Sequence, residues 1–478
     1  MALLVETVTG RTMAELLAAR DNARWGDMVE LRLDGVEDLD VAGALRGRSR
    51  PAIVTCRPEW EGGAFDGSEH DRRAILAQAL SCGADYVDVE SRARFDDLIA
   101  LQPQRIILSS HDFDGVPSDL DDRVRRMRAV GTGLIKIAIT AAKLSDTLPL
   151  LRIAKGGGAI VIAMGEAGVP SRLLASRFGS VWSYAGNGVA PGQIPAARMI
   201  EDFLFRRVGP ATRLFGVVST NALHSFSPLM HNAALCAGGI DGVYVPLRAA
   251  DFDDFTAFAK ALDIEGASVT IPYKGDALRA ASRADDLTRS VGAANTIRRC
   301  DGGWEATNTD VHGFLAPLEA AYGAPLAGVR AAVLGGGGAA RAVVVALHSR
   351  GAVVTVHARR NEQARELAQA LRVNAGAWPP PEGSWDLLVN CTPLGGVGAS
   401  DVSPIPAELI TGPFVYDLTY GATESALVRD ARAAGCDTLD GLPMLIAQAE
   451  RQFEWWTGQK PVPGVMAQAI KRRLERTP

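Results

Sequence analysis

The sequence predicts an α/β protein: a (β/α)8 TIM barrel, then a two-domain unit ending in a Rossmann-type nucleotide-binding region. Three observations predict it. Short apolar runs alternate with amphipathic stretches eight times up to residue 207. A short linker, Val208-Gly209-Pro210-Ala211-Thr212, then precedes a fresh strand. Further on, a glycine-rich turn at Gly335–Gly338 separates an apolar strand from an apolar helix.

The barrel strands are predicted at Leu3–Val8, Met28–Asp34, Ala52–Arg57, Tyr86–Glu90, Arg105–His111, Leu134–Thr140, Ala159–Gly165 and Ser180–Ala185. Periodicity predicts helices such as Asp71–Ser81, Leu120–Val130 and Ser171–Phe178, with Glu201–Phe205 closing the last one. The second half begins with Leu214–Ser219 and continues through strands Gly242–Pro246, Ala267–Ile271 and Gly292–Ile297. Val329–Leu334 opens a run of βα units that includes strand Ala352–Ala358. Helices Leu442–Thr457 and Pro463–Arg476 are expected to return to the earlier region. The domains so read are 1–207, 213–325 completed by 442–478, and 326–441.

A chain of 478 residues with nearly half its residues apolar has ample material for two or three cores. The net charge is −5 with no long run of one sign, which argues against a nucleic-acid or membrane surface. Six cysteines without a C-x-x-C pair predict reduced thiols and no metal site. No stretch is long enough to span a bilayer, and the chain opens directly on a strand. The expected compartment is the cytoplasm, or a plastid if a transit peptide has been removed. The oligomeric state is left open.

Strand parity locates a site in the barrel. In Met28–Asp34, Val29, Leu31 and Leu33 share one face, and Glu30, Arg32 and Asp34 share the other. The face against the helices must be apolar, so the charges point inward. The same parity turns Arg57, Asp88, Glu90, His111, Lys136 and Met164 inward near the C-terminal strand ends, where such barrels build active sites. Lys136 stands between aliphatic neighbours, and its burial as an ammonium is costly unless paired. A neutral amine there can attack a ketone; the bland alternative is an ion pair with Glu30 or Glu90. His111 on the same rim suits a proton shuttle.

Residues 1 to about 207 resemble type I 3-dehydroquinate dehydratase. The match rests on Glu30-Leu31-Arg32-Leu33-Asp34, Thr55-Cys56-Arg57 with Glu61-Gly62-Gly63, Ser110-His111-Asp112, Lys136-Ile137-Ala138, Met164-Gly165, Ser171-Arg172, Phe178-Gly179-Ser180 and Ala190-Pro191-Gly192-Gln193. The resemblance implies that Lys136 forms a Schiff base with the substrate ketone while His111 moves the proton and Glu90 orients His111. It also implies that Arg172 holds the carboxylate and that Glu30, Arg32, Arg57, Met164 and Gln193 contact substrate. Val189 stands where the family usually has a hydroxyl residue, which predicts binding weaker by about 1 kcal/mol.

In the second half, Gly335, Gly337 and Ala340 fit G-x-G-x-x-G/A after a strand and before a helix. The next strand ends in His357-Ala358-Arg359-Arg360 rather than in an acid, so Arg359 and Arg360 favour NADP(H) over NAD. Other motifs are His224-Ser225-Phe226-Ser227, Thr270-Ile271-Pro272-Tyr273-Lys274, Asn295-Thr296, Asn308-Thr309-Asp310, Asn390-Cys391-Thr392, Tyr416–Tyr420 and Asp440-Gly441, followed by Gln448. In this order they resemble shikimate dehydrogenase from residue 213 onward. The resemblance implies Ser225 and Ser227 on the substrate carboxylate, and Thr270, Asn295, Asp310, Tyr420 and Gln448 on the rest of the substrate. It makes Lys274 the proton donor, paired with Asp310. Gly335, Gly337, Gly338, Ala339, Ala340, Thr392 and Gly441 would hold the cofactor. Gly336 stands where the family has alanine, an exchange expected to be neutral. The expected partners are small molecules: 3-dehydroquinate, 3-dehydroshikimate and shikimate. Quinate dehydrogenase activity and a non-catalytic quinate sensor are the competing readings. The paired serines argue against the first. The retention of Lys136, His111, Lys274 and Asp310 argues against the second.

Overall fold

A computed structural model describes residues 1–186, 188, 191–396, 399, 401–421 and 423–475. By the density of contacts the chain divides into two compact units. The first is Met1–Leu214 with Asn221–Ser225 and Asp241–Asp263; the second is Phe215–Thr220, Phe226–Ile240 and Ile264–Pro478.

The first unit is an eight-stranded parallel barrel of β1 (Leu3–Val8), β2 (Met28–Arg32), β3 (Ala52–Thr55), β4 (Tyr86–Glu90), β5 (Ile106–Asp112), β6 (Leu134–Thr140), β7 (Ala159–Met164) and β8 (Trp182–Ala185). Each strand from β1 to β7 pairs with its sequence neighbour, and β8 pairs with β1. Between β7 and β8 the Val181 N–H donates to the Ala159 carbonyl at 3.0 Å. Parity sorts the interior into layers. Val5, Met28, Ile53, Ile107, Ile160 and Trp182 fill the lower barrel with apolar surface. The same faces, two residues further along, carry Thr7, Glu30, Thr55, Ser109 and Lys136. The predicted strands hold, three of them to the residue.

The helices differ at their ends for local reasons. Helix Glu69–Ser81 starts two residues before the predicted Asp71 because Ser68 caps it, accepting from the Asp71 N–H. The predicted helix Ser171–Phe178 is two short helices, Val169–Leu173 and Ala175–Phe178. The last barrel helix is Ala196–Glu201, not a segment ending at Phe205: Leu204 turns to φ +51 before a 3-10 turn.

The first unit takes in β10 (Gly242–Arg248) and helix Phe252–Leu262 from beyond the linker. Asp254 on that helix is buried and accepts the N–H groups of Leu144 and Ser145 at 3.0 and 2.8 Å. Those two amides open the 3-10 turn that follows β6. A carboxylate from the second half of the sequence thus satisfies orphan donors of the barrel.

In the second unit, β9 (Arg213–Ser219), β11 (Ile264–Val269), β13 (Thr296–Cys300), β14 (Gly303–Thr307) and β12 (Ala281–Ala284) are neighbours in that order. The predicted strand Gly292–Ile297 begins only at Thr296, because Gly292 adopts φ +71 to end helix Asp286–Val291. The predicted Ala267–Ile271 stops at Val269, where Thr270–Tyr273 makes a turn ahead of Lys274. A parallel sheet follows in the order β17-β16-β15-β18-β19-β20, made of β15 (Arg330–Leu334), β16 (Val353–His357), β17 (Asn374–Ala375), β18 (Leu387–Asn390), β19 (Phe414–Asp417) and β20 (Asp437–Leu439). The order reverses at β15, as in doubly wound nucleotide-binding sheets. Helix Gly338–Ser349 packs over it through Ala342, Val343, Ala346 and Leu347. Among the described residues no helix is long and apolar enough to cross a membrane.

Two candidate active sites

The barrel mouth concentrates charge. The Lys136 side chain is 6% exposed, and its Nζ lies 3.0 Å from Asp88 and 3.7 Å from Glu30. Glu30 also accepts from the hydroxyls of Thr7 and Thr55, each at 2.8 Å. Arg57 bridges Asp88 at 3.0 Å and Glu90 at 2.6 Å. Arg72, fully buried, pairs with the other oxygen of Glu90. Burial works against the charge on Asp88, but Arg57 and Lys136 outweigh it and hold that carboxyl well below the usual range. The lysine nitrogen therefore sits between two carboxylates rather than alone among aliphatic neighbours.

His111 is the penultimate residue of β5, with its Nδ1 3.1 Å from Glu61 Oε1; its backbone N–H donates to the same oxygen at 2.9 Å. Burial, then the charges of Arg57 and Lys136, hold the imidazole well below its ordinary value, so it is neutral at physiological pH. Burial pushes Glu61 up to about 7. Arg172 is 2% exposed. Among the described residues it has no carboxylate partner, and its Nε has no acceptor. Burial alone lowers it to about 10. A desolvated guanidinium facing a cavity is a site for an anion. Lys136, His111, Arg172, Glu30, Arg32, Arg57, Met164 and Gln193 all line one cavity. Arg32 is itself held by both oxygens of Asp34 at 2.8 Å.

The second unit builds its site from neutral donors around one ion pair. Lys274 opens helix Lys274–Ala280, and its Nζ lies 2.6 Å from Asp310 Oδ2. Asn295 Nδ2 donates to Asp310 Oδ1 at 2.7 Å and to Thr309 Oγ1 at 3.0 Å. It is 3.5 Å from Gln448 Oε1. The Asn295 side-chain oxygen, Oδ1, accepts from the Thr309 N–H at 2.8 Å, so one side-chain amide fixes the whole turn. Thr270 sits at the end of β11, its N–H on the Val218 carbonyl. Ser227 opens helix Ser227–Ala237. Ser225 closes the 3-10 turn Ala222–His224, which groups with the first unit. Tyr420 packs its ring 5.9 Å from that of Phe226.

The nucleotide motif lies beside the lysine. Gly335 takes φ +109, a conformation that side chains resist, with its Cα face against Cys391. Gly337 caps helix Gly338–Ser349 and has open space where a side chain would stand. A Cβ on Gly338 would lie 3.0 Å from Cδ of Lys274, which brings the helix N-terminus to the ion pair. Arg359 and Arg360 are exposed just after β16. Thr392 is tied to Asn390 at 2.7 Å, and Gly441 caps helix Leu442–Thr457 against the Leu418 carbonyl.

Family models agree with both halves. Type I 3-dehydroquinase matches residues 5–206, the shikimate dehydrogenase substrate binding domain residues 217–297, and the shikimate 5'-dehydrogenase C-terminal domain residues 441–471. The chloroplastic bifunctional 3-dehydroquinate dehydratase/shikimate dehydrogenase of Arabidopsis thaliana is 33% identical over 470 residues, covering 90% of this chain and 78% of that protein. The chain belongs to this bifunctional dehydratase/dehydrogenase family. An NADP(+) shikimate dehydrogenase of Microcystis aeruginosa is 38% identical over 281 residues, 55% of this chain and 98% of that one. A crystal structure of a shikimate dehydrogenase in complex with NADP+ matches with TM-score 0.52 and 32% identity, over 55% of this chain and 96% of the other.

Within the dehydratase half one expected contact is corrected. Glu90 does not orient His111: both its oxygens are held by Arg57 and Arg72, and the imidazole's partner is Glu61. Glu61 was visible in its motif but carried no role, because a 3-10 turn, Glu59–Glu61, delivers it to the rim rather than a strand. The ion-pair partner of Lys136 is Asp88 first and Glu30 second, while Glu90 is engaged elsewhere. Val189 and its predicted effect lie outside the described residues. In the dehydrogenase half, Gly336 has a use: a Cβ there would stand 2.6 Å from Cγ of Gln363, so alanine requires that side chain to move.

Proposed function

We propose that the barrel dehydrates 3-dehydroquinate through a Schiff base on Lys136 and that the second unit reduces the product, 3-dehydroshikimate, to shikimate with NADPH. The observation that supports the first step is the meeting of three groups on one cavity: a buried lysine, a neutral histidine and an arginine with no carboxylate partner among the described residues. Arg172 would take the substrate carboxylate. Lys136 would add to the ketone and expel water, making the adjacent C–H acidic. His111, with Nδ1 toward Glu61, presents its other nitrogen to remove that proton and then passes it to the departing hydroxyl. Water would then hydrolyse the imine and return the lysine.

In the second unit the residues fit a dinucleotide. Gly335 makes the turn at positive φ and Gly337 leaves room for a pyrophosphate, the N-terminus of helix Gly338–Ser349 offers free N–H groups, and Arg359 and Arg360 suit a 2′-phosphate. Thr392 and Gly441 would complete the pocket. When bound, NADPH supplies the hydride. Lys274, 2.6 Å from Asp310, would give the proton to the new alkoxide. Asn295, Thr270, Tyr420 and Gln448 would hold the ring hydroxyls, and Ser225 with Ser227 the carboxylate. We read the domains as 1–207, 213–325 with 442–478, and 326–441, and the compartment as cytoplasm.

The test supplies 3-dehydroquinate with NADPH and follows shikimate formation and NADPH oxidation together. Lys136→Ala should stop the conversion from 3-dehydroquinate but not from 3-dehydroshikimate, and Lys274→Ala should stop both. Persistence of 3-dehydroquinate turnover in Lys136→Ala, or absence of a borohydride-trapped adduct on Lys136 in the folded parent, refutes the Schiff-base reading.

A further inference from the structure

One polar side chain at the barrel mouth is used by no step above. Tyr184 lies on β8, on the same inward face as Trp182, and is 2% exposed. It lines the cavity of Lys136, His111 and Arg172. Lys136 Nζ sits 4.4 Å from the centre of its ring, a cation–π contact that places the phenol against the amine. The hydroxyl is buried and makes no bond of good geometry; the Trp182 indole N–H faces its oxygen, and its own proton has no acceptor among the described residues. A buried hydroxyl proton without an acceptor destabilises a fold, and phenylalanine would fill the same space without that cost. A partner that arrives with the substrate accounts for the oxygen. Burial, reinforced by the negative charge of Glu30 and Asp88, raises this phenol well above its ordinary value, with the Trp182 indole a smaller opposing influence. The group is therefore a donor at physiological pH.

We propose that Tyr184 is a further substrate-contacting residue of the dehydratase, its Oη–H donating a hydrogen bond to the oxygen on the carbon that Lys136 attacks. As the amine adds, the C=O electron pair moves onto that oxygen, which becomes the carbinolamine hydroxyl and leaves as water. In net, the lysine ammonium and the ketone give a protonated imine and one water, so no outside proton is needed. Tyr184 keeps its own proton throughout and serves the oxygen while charge builds on it. The inference rests on the Schiff-base reading above.

The test is Tyr184→Phe in the full chain. Turnover of 3-dehydroquinate should fall about tenfold. The single-turnover rate of forming the borohydride-trapped adduct on Lys136 should fall by a similar factor, with KM changed much less. The melting temperature should stay the same or rise, because a hydroxyl proton without an acceptor has been removed, and turnover of shikimate should be unchanged. Turnover and adduct formation within twofold of the parent overturn the proposal, as does a lowered melting temperature with unchanged rates. A parent that forms no adduct removes the Schiff-base reading itself, a result independent of the Tyr184→Phe comparison.

Discussion

Each half holds one lysine in a buried ion pair, and the two pairs are set up differently. Lys136 is 6% exposed and sits among Asp88, Glu30, Arg57, Glu90 and Arg72, a run of alternating charges on buried side chains. Lys274 is 13% exposed and has one carboxylate, Asp310, which is fixed by the amide of Asn295. The barrel site is governed by electrostatics, because moving one charge alters every neighbour at low dielectric. The second site is governed by position, because its amides and hydroxyls carry no net charge. In the first, burial raises Glu61 and lowers His111; in the second, burial raises the Tyr420 phenol.

The comparison can be broken by exchanging what each lysine does. Lys136→Ala should lower 3-dehydroquinate turnover by at least about a thousandfold while shikimate oxidation is retained, measured on the same preparation. Lys274→Ala should lower shikimate oxidation by about 10²–10⁴-fold and leave the dehydratase at parent level. Cross-effects of similar size on both activities would mean that the sites are not separate.

A finer cut concerns pH. Below about 7 the Glu61 carboxyl keeps its proton; above it the carboxylate accepts from His111 Nδ1–H and leaves the other nitrogen free as base. Dehydratase kcat/KM should therefore rise with pH through about 7 and lose that limb in Glu61→Gln, while the dehydrogenase profile is unaffected. The same raised carboxyl favours the folded state most below its unfolded value, near 4.5, and the benefit is lost as pH rises to about 7. Glu61→Gln should flatten that part of the stability curve, read by denaturant midpoints.

Two smaller effects sharpen the picture. Arg359→Ala should raise KM for NADP+ about tenfold and leave that for NAD+ nearly unchanged, as loss of one charge-assisted hydrogen bond implies. Asp254→Ala should lower stability by about 1–3 kcal/mol, because Leu144 and Ser145 lose the acceptor of their N–H groups. Thermal unfolding would show it, and an unchanged melting temperature would mean that water replaces the carboxylate without cost.

Much of the barrel was legible because strand parity is a strict rule. An apolar outer face forces polar residues inward, so Glu30, Asp88 and Lys136 could be placed on the inner face from alternation alone. Tyr184 obeys the same parity but was passed over, because an inward tyrosine reads as core until its hydroxyl is seen to lack an acceptor. Strands β12 and β14 of the second unit were missed: β12 is half-exposed, and the alternation of β14 rests on Trp304 and Ala306 alone. They exist because β13 pairs antiparallel with β14 and β14 pairs parallel with β12.

By itself the sequence determined the fold class, the inward face of each barrel strand and the glycine turn before helix Gly338–Ser349. These follow from backbone periodicity and sterics, which act over a few residues. Which carboxylate meets which cation was settled only by the tertiary structure. Glu61 reaches His111 across fifty residues and Asp254 reaches Leu144 across more than a hundred. Such pairings depend on distances of a few ångströms between distant segments, and no local rule of chain geometry contains them.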